Sequence, residues 1–216
     1  MENLNNYIEH TLLKQDAKES DLLKLFAEAK ENHFYGVCVN PCYVKLAKEN
    51  LKDSEVKIVT VIGFPLGANT TDVKVFETKK AIEDGADEID MVINVTKLKD
   101  REKDFIVNEI NSIKRACSGH NLKVIIETDL LTKEDIVYAC QCAISGGADF
   151  VKTSTGFVKG GVGAKAEDVE LMFNTVKDSG LSVKASGGIR DKQTALDMIN
   201  AGASRLGTSS GVKIVN

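Results

Sequence analysis

The chain has 216 residues, 43% of them hydrophobic, with 28 Lys and Arg against 32 Asp and Glu for a formal charge of −4. That is material for a sizeable core under a mixed-charge surface, which excludes a disordered chain, and the slightly acidic balance argues against a nucleic-acid binder. No apolar run approaches the roughly 18 to 20 residues of a membrane helix, and the opening MENLNNYIEH lacks the basic and apolar parts of an export signal, so the expectation is a cytoplasmic protein acting on a small polar metabolite.

In chain order, β-branched runs alternate with helical periods, with no linker between them. An extended piece around Tyr7–Thr11 precedes a helix predicted from about Ala17 to Asn32, opened by Asp16 and Glu19 as a capping pattern and carrying Leu22, Leu23, Leu25, Phe26 and Ala29 on one face. Strands are predicted at Tyr35–Val39, Lys57–Ile62, Glu88–Ile93, Lys123–Glu127, Asp149–Thr153, Ser182–Ser186 and Ser204–Leu206, and further helices at 71–84, 102–117, 133–145, 166–178 and 191–201. The segments AIEDGADEIDMV (81–92), AISGGADFVKTS (143–154) and MINAGASRLGTS (198–209) repeat one unit: a helix end, a Gly-Ala turn and a strand. Eight such strands, no dinucleotide-binding glycine motif after the first, and a length near the lower limit for the fold predict one (β/α)8 TIM-barrel domain spanning 1–216.

Five cysteines, at 38, 42, 117, 140 and 142, lack metal-finger spacing and read as reduced thiols packing as small hydrophobes. His10, His33 and His120 have no evident partner in the sequence and read as neutral boundary residues.

Counting five residues on from the turn glycine of each repeat gives Asp90, Lys152 and Gly207, which should therefore share a height in the barrel. Alternation along the strand puts Val151 under the helices and Lys152 in the lumen, near the C-terminal mouth where barrel enzymes hold their sites. The same logic turns Lys184 inward on the neighbouring strand. Two lysines about one strand spacing apart, roughly 4.8 Å, should repel, and burial should add to the effect, lowering the pKa of at least one. A neutral amine is what a Schiff-base nucleophile requires. Lys123 and Glu127 share a parity and read either as charges capping a strand or as supports behind the site. The glycine-rich segments Ser186–Arg190 and Gly207–Gly211, joined by Gly156, suit an oxyanion such as phosphate, because glycine lets backbone N–H groups approach closely. A sugar-phosphate isomerase or a non-catalytic sensor would share these loops, but neither needs a covalent lysine.

With these residues placed, the sequence resembles the deoxyribose-phosphate aldolases over nearly its whole length. The resemblance is carried by EHTLLK (9–14), GADEIDMVINV (85–95), KVIIET (123–128), GADFVKTSTGF (147–157), VKASGGIR (183–190) and RLGTSSGVKIV (205–215). It implies a class I aldolase that cleaves 2-deoxy-D-ribose 5-phosphate to D-glyceraldehyde 3-phosphate and acetaldehyde without metal or other cofactor, working on sugar phosphates and aldehydes as a homodimer. By motif, Lys152 becomes the Schiff-base lysine, Asp90 a proton donor or acceptor and Lys184 the second lysine of the relay. Gly156, Gly187, Gly188, Ser209 and Ser210 become phosphate contacts. The chain departs from the family in three places: Glu9 stands where the family usually has Asp, Phe157 where some members have Lys, and the turn at Val158–Lys165 runs about two residues long.

Overall fold

Each apolar run is followed by a helix that covers its outer face, so the strands pair in parallel and in chain order until the last meets the first. The computed structural model describes residues 4–216; Met1–Asn3, which open the predicted domain and the stretch read for an export signal, lie outside it. The strands are β1 (Ile8–Leu12), β2 (Gly36–Val39), β3 (Lys57–Ile62), β4 (Glu88–Val92), β5 (Asn121–Ile125), β6 (Phe150–Lys152), β7 (Ser182–Ser186) and β8 (Arg205–Thr208), closed as a barrel. The predicted (β/α)8 barrel is what forms. The covering helices are α1 (Glu19–Glu31), α2 (Val44–Leu51), α3 (Thr71–Asp84), α4 (Val95–Lys99), α5 (Lys103–Ala116), α6 (Lys133–Gly146), α7 (Ala166–Val176), α8 (Lys192–Asn200) and α9 (Gly211–Val215). Among the described residues no helix is long and apolar enough to cross a membrane.

The core is a ring between sheet and helices, where Val151, Val183 and Ala185 lie with Ile89, Met91, Leu122 and Val124. Burying this face is the main stabilising term, at about 25 cal/mol for each Å² of apolar surface removed from water. In the repeats, Gly85 and Gly147 close α3 and α6 with φ of 109° and 78°, and Gly202 has φ 108°, a conformation that favours glycine.

Strand tilt decides what meets inside. Asp90 pairs through Lys123 with Phe150, yet Lys152, two residues further along, is level with it. Carrying that offset round the barrel puts Asp90, Lys152 and Gly207 in one layer, as the repeat count predicted, with Cys38 as its fourth member. Glu9, Val59, Lys123 and Lys184 form the layer beneath, and Gly36, Glu88, Phe150 and Arg205 the floor.

Several expectations need correction. The helix predicted from Ala17 begins at Glu19, where the backbone N–H of Lys18 donates to Asp21. The fifth strand runs Asn121–Ile125, not 123–127; Glu127 lies beyond it with a left-handed φ of 62°, because its carboxylate turns to accept the Thr155 amide. The short helices α2, α4 and α9 carried no clear period and were not foreseen. Cys38, Cys117, Cys140 and Cys142 are buried and Cys42 is exposed. His10 does have a partner: its Nε2 lies 2.8 Å from Glu28 Oε2 on α1, and its ring meets Phe34 edge-on.

Candidate active site

The inward parity of six strands fills the barrel with charge. Asp90 on β4 accepts from Lys123 Nζ at Oδ1 (2.9 Å) and from both Lys152 Nζ (2.8 Å) and Lys184 Nζ (2.6 Å) at Oδ2. Lys184 also donates to Glu9 Oε2, whose other oxygen stands 3.4 Å from Lys123 Nζ and 3.5 Å from Arg205 Nε. Lys123 makes a further ion pair with Glu88, 2.5 Å away. Glu9, Asp90, Lys123 and Lys184 are wholly buried. Gly207 makes room for this arrangement, since a Cβ there would stand 3.1 Å from Lys184 Cε.

Charges this deep persist because each is paired several times over. Burial works to raise the Asp90 pKa, but the three ammonium groups around it hold the carboxyl well below the usual carboxylate range. The expectation that repulsion and burial lower the pKa of at least one of the two lysines is not met at Lys184. Burial pulls its pKa down, yet Asp90 and Glu9 together more than offset both that and the repulsion from Lys123, and it ends above the ordinary lysine value. Lys123 is raised further, by Asp90, Glu9 and Glu88 against burial. Lys123 is thus neither a strand cap nor a surface charge.

At the C-terminal mouth lies a cavity of about 230 Å³ that brings together Lys152, Gly156, Gly187, Gly188 and Ser209. Ser210 is not part of its lining; it faces an adjoining hollow with His10, Glu28 and Lys213. Lys152 is the one member of the buried charge cluster that reaches the cavity. Phe157 forms a wall and packs edge-on against Phe64, with ring centres 5.1 Å apart, so the position that carries a lysine in some relatives is apolar here. The long turn after β6 is tied down: Asp129 accepts the Val162 and Gly163 amides at 3.1 and 2.8 Å, and the Ala164 amide donates to Gly187. Glu127 holds the same turn from its other end through Thr155, and burial raises its pKa against those hydrogen bonds.

Two residues that sequence reasoning passed over also line the cavity, Lys14 after β1 and Arg190 after β7. Together with Lys152 they make a lining of cations and no carboxylate. Both lie inside the family-like motifs EHTLLK and VKASGGIR, and their position just past strand ends was the available signal.

Residues 6–215 match the family model described as DeoC/LacD family aldolase. The chain belongs to that aldolase family. The aldolase is 57% identical over 213 residues to the deoxyribose-phosphate aldolase of Clostridium botulinum, covering 98% of this chain and 99% of that protein. It is 56% identical over 212 residues to the enzyme of the same name from Bdellovibrio bacteriovorus, covering 98% and 95%. Among solved structures it superposes on the aldolase QR15 with a TM-score of 0.94 at 44% identity, covering 100% of this chain and 95% of that one. It superposes on the Aeropyrum pernix deoxyribose phosphate aldolase, described as tetrameric, with a TM-score of 0.91 at 34% identity, covering 98% and 89%.

Proposed function

We infer that this aldolase reversibly cleaves 2-deoxy-D-ribose 5-phosphate to D-glyceraldehyde 3-phosphate and acetaldehyde through a Schiff base on Lys152. The observation that carries this reading is the arrangement of Lys152, held on Asp90 and alone among the buried charges in reaching an anion-complementary cavity. The barrel interior holds Lys123, Lys152, Lys184 and Arg205 against Glu9, Glu88 and Asp90, one cation in excess, so loss of a single proton leaves it balanced.

As a neutral amine, Lys152 attacks the C1 aldehyde, and loss of water leaves a protonated imine. Only rupture of the C2–C3 bond yields a two-carbon and a three-carbon product, so the imine draws in that electron pair while the C3 hydroxyl proton passes, through water, to Asp90. Lys184, kept charged by Asp90 and Glu9, protonates C2 of the enamine, and hydrolysis returns Lys152 and acetaldehyde. Gly156, Gly187, Gly188 and Ser209 take the phosphate with backbone N–H and hydroxyl donors, while Lys14 and Arg190 supply the charge that Phe157 does not. Glu9 serves by holding Lys184 rather than by touching substrate.

Borohydride reduction in the presence of deoxyribose 5-phosphate, followed by peptide mapping, should place the adduct on Lys152, and Lys152→Arg should lose both adduct and turnover. An unmodified Lys152 in a protein that still binds the sugar phosphate would overturn the mechanism. We extend the reading to a single 1–216 domain working in the cytoplasm as a homodimer. Exposed Leu66, Val73 and Phe76 along α3 and the loop before it support the homodimer, and a monomer in sedimentation at micromolar concentration would count against it.

A further inference from the structure

We propose that Glu88, on the floor of the barrel, is a positioning residue for the reaction: acting through Lys123, it fixes the Asp90 carboxylate and sets the charge against which Lys152 loses its proton. Glu88 lies one layer below the Lys123 layer and two residues before Asp90 on the same strand, so its side chain points into the barrel. Its Oε1 accepts from the Tyr35 hydroxyl at 2.5 Å and from Asn121 Nδ2 at 2.9 Å, and its Oε2 lies 2.5 Å from Lys123 Nζ. Lys123 then reaches Asp90 Oδ1, which leaves only Oδ2 for Lys152 and Lys184.

The chain Tyr35–Glu88–Lys123–Asp90–Lys152 thus runs through the barrel from its N-terminal end to its catalytic mouth. Below it, Arg205 covers the Tyr35 ring at 3.4 Å and closes the floor. Lys123 hydrogen-bonds Asp90 Oδ1, while Glu9 and Glu88 pair with it by charge at 3.4 and 2.5 Å, so Glu88 is the nearest charge holding the ammonium in place. The groups facing Lys123 are Glu9, Glu88, Asp90, Lys184, Tyr35 and the Phe150 ring. Those around Lys152 are Asp90, Lys184 on the same Asp90 oxygen and, more distantly, Cys38 and Glu127.

The inference rests on the aldolase reading for its kinetic test but not for its chemical one. Glu88→Gln removes a negative charge, raises the cation excess from one to two and makes proton loss easier. Both the acid limb of kcat/KM and the midpoint of Lys152 carbamylation by cyanate should move to lower pH, by at least about half a unit. Glu88→Asp keeps the charge but loses reach; its midpoint should stay while kcat falls several-fold at unchanged KM. Profiles that superimpose on the parent, with only thermal stability lowered, would make Glu88 a mere filler of the floor and overturn the proposal. If Glu88→Gln does not fold, Glu88→Asp decides alone, and a parental kcat overturns it. Should the parent trap no imine while the cyanate midpoint still shifts, the aldolase mechanism fails and this inference stands.

Discussion

At Gly207 any side chain would strike two neighbours, since a Cβ would stand 2.9 Å from Ser186 Cβ and 3.1 Å from Lys184 Cε. Both are held, Ser186 by its hydrogen bond to the Ser154 carbonyl and Lys184 by Asp90 and Glu9, so neither yields cheaply. Gly207→Ala should therefore cost about 1–3 kcal/mol of stability. It should also lower kcat more than it raises KM, because the displaced group is the ammonium of Lys184 rather than a cavity wall. Thermal unfolding and steady-state kinetics check both parts, and a parental kcat would show that Lys184 tolerates the shift. This glycine was found by counting from Gly202, but its reason is visible only where β7 and β8 pair.

Among elements, the turn between β6 and α7 shows how a loop is kept in place for binding. Its added length would leave it loose, yet Asp129 takes two of its amides, and the backbone at Gly163 passes so close to Gly187 that a Cβ would fall 2.4 Å from the carbonyl carbon. The turn therefore braces one of the glycines proposed to hold the phosphate. Asp129→Ala should raise KM for deoxyribose 5-phosphate several-fold with little change in kcat, at a stability cost of about 1–3 kcal/mol for the lost charge-assisted hydrogen bonds. Equal loss for unphosphorylated deoxyribose would show that the turn does not serve the phosphate. Phe64 and Phe157 close the same side, and Lys74, buried on the Val92 carbonyl and Glu109, ties α3 to β4 and α5 beneath them.

For the whole molecule, the buried charges tie stability to pH. The Asp90 and Glu88 pKa values are lowered, since burial is outweighed by lysine partners, so their contribution is present above the ordinary carboxylate pKa of about 4 and is lost as pH falls through their folded values. Those of Lys123 and Lys184 are raised, so their contribution is full below about 10.4 and disappears as pH rises through their folded values. Glu109 and Glu127 are raised by burial and act in the opposite sense on the acid side, so a difference measurement isolates the cluster. Asp90→Asn should be less stable than the parent by about 3–5 kcal/mol at neutral pH, because it strips three buried ammoniums of their shared partner. Denaturant unfolding should show that gap shrinking as pH drops below about 4; a gap that stays constant would remove the cluster from the acid response.

The strand-and-helix alternation, the three Gly-Ala repeats and the parity of Asp90, Lys152 and Lys184 were legible in the sequence, because period and turn chemistry are local and the barrel follows from their repetition. Local rules could not say which oxygen meets which amine. Lys184 looked like a repelled neighbour of Lys152 and proved to be held between Asp90 and Glu9, carboxylates on β4 and β1, far from it in the chain. Glu88 and Tyr35 drew no notice as residues of a site, Lys123 was read as a support behind it without its partners, and which of Lys14, Arg190 and Ser210 line the cavity follows from where the strand ends converge. Pattern determines which face a side chain takes. Strand tilt and closure, which no stretch of sequence contains, decide whose charge it meets.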